Sequence, residues 1–131
     1  MERSGAHVYA PVSPEVLGHL MRKAWAFLMP NSYPEICSNL LFQAQASGCP
    51  VVTSNIGSAP EFISHGQTGL MTSRYHPHDC YSWIVEYTNL VLDISQNKSM
   101  HKTISDSSRY KVKCWDQIGE KWNELLKNIV A

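Results

Sequence analysis

Apolar residues in the first half of the chain fall into short runs that proline, glycine and polar residues separate. Four runs have the length and composition that are typical of strands: residues 7–10, 25–29, 50–53 and 70–72. Between the second and third runs, residues 36–47 carry small and apolar side chains and stop at Gly48, which predicts a helix that ends there. A strand, a helix and another strand form a βαβ unit, so we expect parallel strands.

The second half of the chain has the spacing of helices. Apolar residues recur at helical intervals in residues 79–94 and 115–129, and residues 98–110 between them are expected to form a polar and weaker helix. We expect the apolar stripes of the first and last of these helices to face the core. Earlier in the chain, Ser13 and Pro14 predict the start of a further helix that ends near Lys23.

Together these elements predict an α/β fold. We expect a partial doubly wound, Rossmann-like parallel sheet of about four short strands with a helical C-terminal cover. A chain of 131 residues is expected to form one domain, residues 1–131. Its sheet part is expected at about residues 6–75 and its helical part at about residues 77–130.

Charge and cysteine content narrow the possible partners and location. Lysine and arginine together number 11, and so do aspartate and glutamate, so no net field attracts nucleic acid. The four cysteines lie far apart, as in proteins of a reducing compartment. No apolar run has the length of a membrane span, and the N-terminus lacks the apolar region of a signal peptide. We therefore expect a cytoplasmic protein that binds neither nucleic acid nor membrane.

Glu35 is the first candidate for a functional residue. It follows the turn at residues 31–34 and stands immediately before the predicted helix. In parallel sheets, ligands bind at the carboxyl ends of the strands, where helix N-termini present free N–H groups. The residue pattern by itself leaves two interpretations open: a ligand-binding carboxylate, or an acid that only interacts favourably with the helix dipole.

Residues 76–80 (HPHDC) form a second candidate group, because they include potential metal ligands. Their spacing matches no familiar zinc motif. We interpret the group as the capped start of the next helix and predict no metal site.

The stretch MPNSYPEICSNLLFQAQASGCPVVTSNIGSAPEFISHGQTGLM resembles the nucleotide-sugar-binding half of a GT-B glycosyltransferase. It is similar to the large retaining family that includes sucrose synthases, glycogen synthases and many bacterial glycan-assembly enzymes. The family pattern has Pro-Ser, a Glu, a second Glu after seven further residues, and then Ala-x-Ala-x-Gly-x-Pro-Val-Val. A Gly-x-x-Pro-Glu and an x-Gly-x-x-Gly-Leu turn follow. The resemblance is close over residues 25–72.

The resemblance implies a donor site with a glutamate near the transferred carbon, backbone N–H groups for the diphosphate and a ribose contact. The implied residues are Glu35 in the catalytic position, and Ile36, Cys37, Ser38, Gln43, Gly57 and Ser58 as donor-binding residues. No metal or other cofactor is implied, and the nucleotide diphosphate sugar is the substrate.

Three features depart from the family pattern. Gln43 stands where the family has its second glutamate, so the ribose contact lacks a charge. Residues 1–23 show no counterpart of the family's acceptor-binding domain, nor of the strands that carry its Arg and Lys. We therefore expect little or no transferase activity from this chain alone. A partner chain or a second copy is expected to complete the sheet.

The leading hypothesis is thus a glycosyltransferase-type domain that binds a nucleotide diphosphate sugar, with a retaining glycosyl transfer as the parent reaction. The alternative is a non-catalytic interaction module or pseudo-enzyme subunit that keeps the fold. A nucleotide sensor without chemistry is a third hypothesis.

Overall fold

A computed structural model describes residues 5–73 and 79–130 of the chain. Short strands alternate with helices up to residue 71, and helices follow. The elements are α1 (Pro14–Lys23), β1 (Phe27–Met29), α2 (Asn39–Ser47), β2 (Val51–Thr53), α3 (Ala59–Phe62), β3 (Leu70–Met71), α4 (Cys80–Gln96), α5 (Lys98–Lys111) and α6 (Trp115–Val130).

The three strands form one parallel sheet in the order β1-β2-β3. Phe27 pairs with Val51, and Val52 pairs with Leu70, so the sheet follows the chain order that the βαβ pattern predicts. The described residues thus contribute three strands, and the expectation of about four is slightly too high. Residues 7–10 are the error: they form no ladder, and Val8 is 74% exposed.

The sheet has a hydrophobic core on each face, because successive residues of a strand point to opposite sides. On one face Val51 packs with Met21 of α1 and Leu41 of α2. On the other face Val52 packs with Ile94 of α4 and Ile104 of α5. The result is a sheet between two helical layers, which confirms the α/β class.

Local capping explains where several helices begin and end. The Ser13 side chain accepts a hydrogen bond from the Val16 N–H, and α1 spans the predicted residues. Helix α2 ends at Gly48 as predicted, in a left-handed conformation with φ of 69°. It begins at Asn39, three residues later than predicted, because Ser38 is extended (φ −96°, ψ 107°).

The predicted apolar stripe of α4 does face the core: Ile94 is buried, and Tyr87, Leu90 and Val91 pack against the same cluster. The prediction for α6 is wrong. Its large apolar residues stay about half to mostly exposed: Trp115, Trp122, Leu125, Leu126 and Ile129. Ile104 and Ser108 of α5 are buried, whereas the described part of α6 contributes no buried residue.

In the described ranges, no helix combines the length and the apolar character needed to cross a membrane. Residues 76–78 of the candidate metal group lie outside the described residues. Asp79 belongs to the same group and caps α4, because its side chain accepts a hydrogen bond from the Ser82 N–H. This contact agrees with the interpretation of the group as a helix start.

Candidate functional site

A small hollow lies at the carboxyl ends of β1 and β2. Its volume is about 10 Å³. Six polar residues from the strand ends and the following loops line it: Asn31, Glu35, Ser38, Thr53, Ser54 and Ser58. Three predicted site residues, Glu35, Ser38 and Ser58, are therefore brought together at the edge of the sheet where ligands of parallel folds bind.

Glu35 is held on both its side chain and its backbone. The Asn31 side-chain amide donates a hydrogen bond to the Glu35 Oε2 at 3.2 Å. The Ser58 N–H and hydroxyl both donate to the Glu35 carbonyl oxygen at 2.9 Å. These contacts fix the turn that carries the carboxylate, and the two to its backbone come from the loop after β2.

Gly57 allows that loop to approach so closely. Its φ is 60°, and a Cβ there would lie 2.5 Å from the Glu35 carbonyl oxygen and 2.6 Å from the Glu35 nitrogen. A side chain at this position would therefore collide with backbone atoms that cannot move aside. Gly57, predicted to line the cleft, acts here by making room for Glu35.

The N-terminus of α2 begins beside this hollow. Ser38 is its N-cap residue and is 2% exposed, but its side chain makes no capping hydrogen bond. The first N–H groups of a helix lack partners within the helix, so those of Asn39 and Leu40 suit an anion, whereas the Leu41 N–H donates to the Ser38 carbonyl oxygen at 3.2 Å. Ile36 and Cys37 precede the helix, which begins only at Asn39, so their N–H groups do not open it as predicted.

Gln43 lies in a different depression, on the other side of the first turn of α2. This groove has a volume of about 710 Å³ and is mostly apolar. Asn39, Phe42 and Trp115 line it beside Gln43. The Gln43 Oε1 is buried and has no hydrogen-bond partner in the part of the chain that the structure describes. The structure thus places Glu35 and Gln43 in separate depressions that flank one helix start.

Lysines that the sequence analysis did not single out lie at this groove. Lys111 and Lys113 line it, and the Lys111 ammonium donates to the Phe62 carbonyl oxygen at 2.8 Å. A hydrogen-bonding contact with the Lys121 side chain, together with its charge, lowers the pKa of Lys113. Positive charge therefore concentrates near Gln43, although the whole chain is neutral.

Three further polar residues of the hollow, Asn31, Thr53 and Ser54, are not among the predicted site residues. The sequence pattern places Asn31 in a turn and Thr53 in a strand, and it gives Ser54 no role. Their position at or just after the end of a strand is the signal that identifies them, because the ends of neighbouring parallel strands meet at one edge. Within residues 5–73 and 79–130, no three metal-ligating side chains come together.

This fold and site define an α/β domain of the GT-B glycosyltransferase type. The family model described as "Glycosyl transferases group 1" matches residues 2–89. The chain belongs to this family.

Relatives with assigned activities match the same part of the chain. A D-inositol 3-phosphate glycosyltransferase of Paenarthrobacter aurescens is 35% identical over 89 residues, covering 68% of this chain and 21% of that protein. Its counterpart from Corynebacterium kroppenstedtii is 32% identical over 102 residues, covering 77% of this chain and 22% of that protein. The chain therefore spans about a fifth of the length of these relatives.

Solved structures share the fold. A crystal structure of Anabaena Alr3699/HepE in complex with UDP and glucose has a TM-score of 0.68 and 20% identity. The superposition covers 86% of this chain and 29% of the HepE chain. The same protein in complex with UDP-glucose has a TM-score of 0.61 at 18% identity, covering 86% of this chain and 30% of that one. At this identity the likeness concerns the fold.

Proposed function

We propose that this chain forms the donor site of a glycosyltransferase and binds a nucleotide diphosphate sugar at the start of α2. The observation that supports this most directly is the position of Glu35. It stands beside an uncapped helix N-terminus, and a loop that fits only because of Gly57 holds it there.

The positions of Glu35, the start of α2 and Gln43 suggest how one donor is divided among the residues. The sugar lies beside Glu35, outside the small hollow, and the diphosphate lies over the first turn of α2, where N–H groups and the helix dipole favour negative charge. The ribose lies near Gln43, whose Oε1 has no described partner and accepts a hydrogen bond from a ribose hydroxyl. Ile36 and Cys37, exposed just before the helix, border the donor with their backbone.

The proposed reaction replaces the bond between the anomeric carbon and the diphosphate oxygen by a bond to an acceptor hydroxyl oxygen. The hydroxyl proton leaves with the diphosphate, and the anomeric configuration is retained, as the family resemblance implies. Charge builds up on the diphosphate in the transition state, so fixed N–H groups at the helix start stabilise it there. No metal takes part in this proposal.

A second candidate function is a non-catalytic module that keeps the fold. Two observations favour it: Gln43 replaces a carboxylate, and β1 lies at the edge of the described sheet, where unpaired backbone groups invite another strand. Sedimentation velocity at rising protein concentration tests this candidate. Self-association or capture of a partner strand supports it, whereas a monomer at every concentration argues against it.

We also propose a cytoplasmic location for this domain. Its four cysteines are free thiols, and no two of them are paired in a disulfide within the described residues. Free thiols of this kind persist in a reducing compartment. Localisation of a tagged chain by fluorescence tests the proposal, and a periplasmic or extracellular signal would refute it.

Titration calorimetry with UDP and UDP-glucose tests the donor site. Gln43→Glu restores a charged acceptor, and it is expected to tighten binding of both ligands by about 1–2 kcal/mol, roughly ten-fold. Gln96→Glu introduces the same charge at the far end of α4 and serves as the control, with no expected change. Absence of binding by both the natural chain and Gln43→Glu would refute the proposed function.

A further inference from the structure

Ser54 is a buried residue whose side chain has no assigned role. It directly follows β2, and its exposed fraction is 0%. Its Oγ is buried and makes no hydrogen bond to any residue among 5–73 and 79–130. A buried hydroxyl without a partner is costly, and such groups are generally paired with protein atoms or with ordered water.

The hollow that Ser54 lines has the size of one water molecule. Its volume is about 10 Å³, and a site for a single water needs roughly 10–15 Å³ on this measure together with several polar partners. Asn31, Glu35 and Ser38 supply polar atoms at its wall. The space is too small for a sugar or a phosphate group.

The other hydroxyls at the hollow are already engaged. The Thr53 hydroxyl donates to the Met29 carbonyl oxygen at 3.1 Å, and the Ser58 hydroxyl donates to the Glu35 carbonyl oxygen at 2.9 Å. The Glu35 carboxylate has one described hydrogen bond, from Asn31 to its Oε2, and an ionised carboxylate accepts about four. A donor hydroxyl and an acceptor carboxylate therefore both line this space.

We propose that the hollow binds one water molecule that links the Ser54 hydroxyl to the Glu35 carboxylate. The water accepts a hydrogen bond from Ser54 Oγ–H and donates one to Glu35. A cation fits less well, because Glu35 is the one charged residue among the described residues of the wall. Ser54 is then a positioning residue that acts through the water on Glu35.

The consequence for binding rests on the proposed donor function, whereas the water site itself does not. If Glu35 contacts the donor sugar, loss of the water leaves its carboxylate less restrained. Binding of the sugar part should then suffer, while binding of the nucleotide part should be unaffected. The ratio of the dissociation constants of UDP-glucose and UDP measures this difference.

A high-resolution crystal structure of the natural chain tests the water site directly. We expect a density peak within hydrogen-bond distance of both Ser54 Oγ and the Glu35 carboxylate. The peak should persist in Ser95→Ala, which removes an exposed hydroxyl on α4, and disappear in Ser54→Ala. A map that shows ordered surface waters but no peak here would overturn the proposal, even if Ser54→Ala fails to fold.

Calorimetry tests the positioning role. Ser54→Ala should weaken UDP-glucose binding by about five-fold and leave UDP binding unchanged. Ser54→Thr, which keeps the hydroxyl, should keep the natural ratio. Equal weakening of both ligands, or an unchanged ratio in Ser54→Ala, would contradict this role. Failure of the natural chain to bind either ligand would instead count against the proposed donor function, and the density would still decide the water site.

Discussion

Glu35 owes its position chiefly to backbone contacts. The loop after β2 donates two hydrogen bonds to its carbonyl oxygen, whereas its carboxylate has one described partner, Asn31. The carboxylate is thus presented on a fixed turn without being neutralised by an ion pair within the described residues. This arrangement suits a residue that contacts a ligand.

Gly57→Ala should disturb this turn far more than an equivalent change elsewhere. Gly66 is the matched control, because it also has a positive φ (76°) but nothing lies within 4 Å of a Cβ built there. Gly66→Ala is expected to cost about 1 kcal/mol for backbone strain, and Gly57→Ala about 1–3 kcal/mol more. Urea denaturation measures both. Equal losses would show that the close approach to Glu35 does not matter.

Two buried groups, Tyr87 and Cys49, make the stability of the fold decrease as the pH becomes alkaline. Burial raises its pKa from 10 to about 12, and its hydroxyl donates to the Val52 carbonyl oxygen at 3.0 Å. Burial likewise raises the pKa of the Cys49 thiol from 9 to about 11. As the pH rises, the unfolded chain therefore loses these protons at a lower pH than the folded chain does. The two groups contribute fully to the free energy of unfolding below pH 9, and this contribution declines up to about pH 12.

Urea denaturation at increasing pH should show this decline as a negative slope of the free energy of unfolding against pH. Tyr87→Phe should make that slope shallower. Tyr110 is 90% exposed, so Tyr110→Phe is the control and should leave the slope unchanged. Identical slopes for the natural chain and Tyr87→Phe would contradict the assignment.

At the level of elements, the sequence predicts what depends on local pattern. Periodicity and capping locate α1, α4 and α5 closely, since Ser13, Asp79 and Asn97 each accept a hydrogen bond from their own helix. The start of α2 depends on tertiary contacts, because Ser38 is buried in extended form against Met29. Periodicity also shows that α6 has an apolar face, but it does not reveal what covers that face.

Two substitutions to alanine should show that α5 contributes to the core and that α6 does not, because they should change the free energy of unfolding by different amounts. Ile104 in α5 is fully buried, and Ile104→Ala should cost about 2–5 kcal/mol. Trp122 in α6 is 58% exposed, and Trp122→Ala should change the free energy of unfolding by less than about 0.5 kcal/mol. Urea unfolding provides both values. A loss of several kcal/mol from Trp122→Ala would mean that α6 packs onto the chain.

At the level of the whole molecule, the described residues leave two surfaces uncovered. β1 lies at the sheet edge, and α6 presents its tryptophans and leucines to solvent. The proposed donor site draws on a short stretch of the chain, because Glu35, the start of α2 and Gln43 all lie within residues 35–43, with support from residues 57–58. The sequence motif predicts these residues as a site, whereas their division between two depressions is visible only in the folded chain.

The central claim is that a nucleotide sugar binds across the first turn of α2. An NMR titration of the ¹⁵N-labelled chain with UDP-glucose tests it most directly. We predict shifts of the backbone amide signals of Glu35, Ser38, Gln43 and Ser58, with those of residues 93–100 unchanged. No shifts, or shifts confined to the junction of α4 and α5 around residues 93–100, would contradict the account.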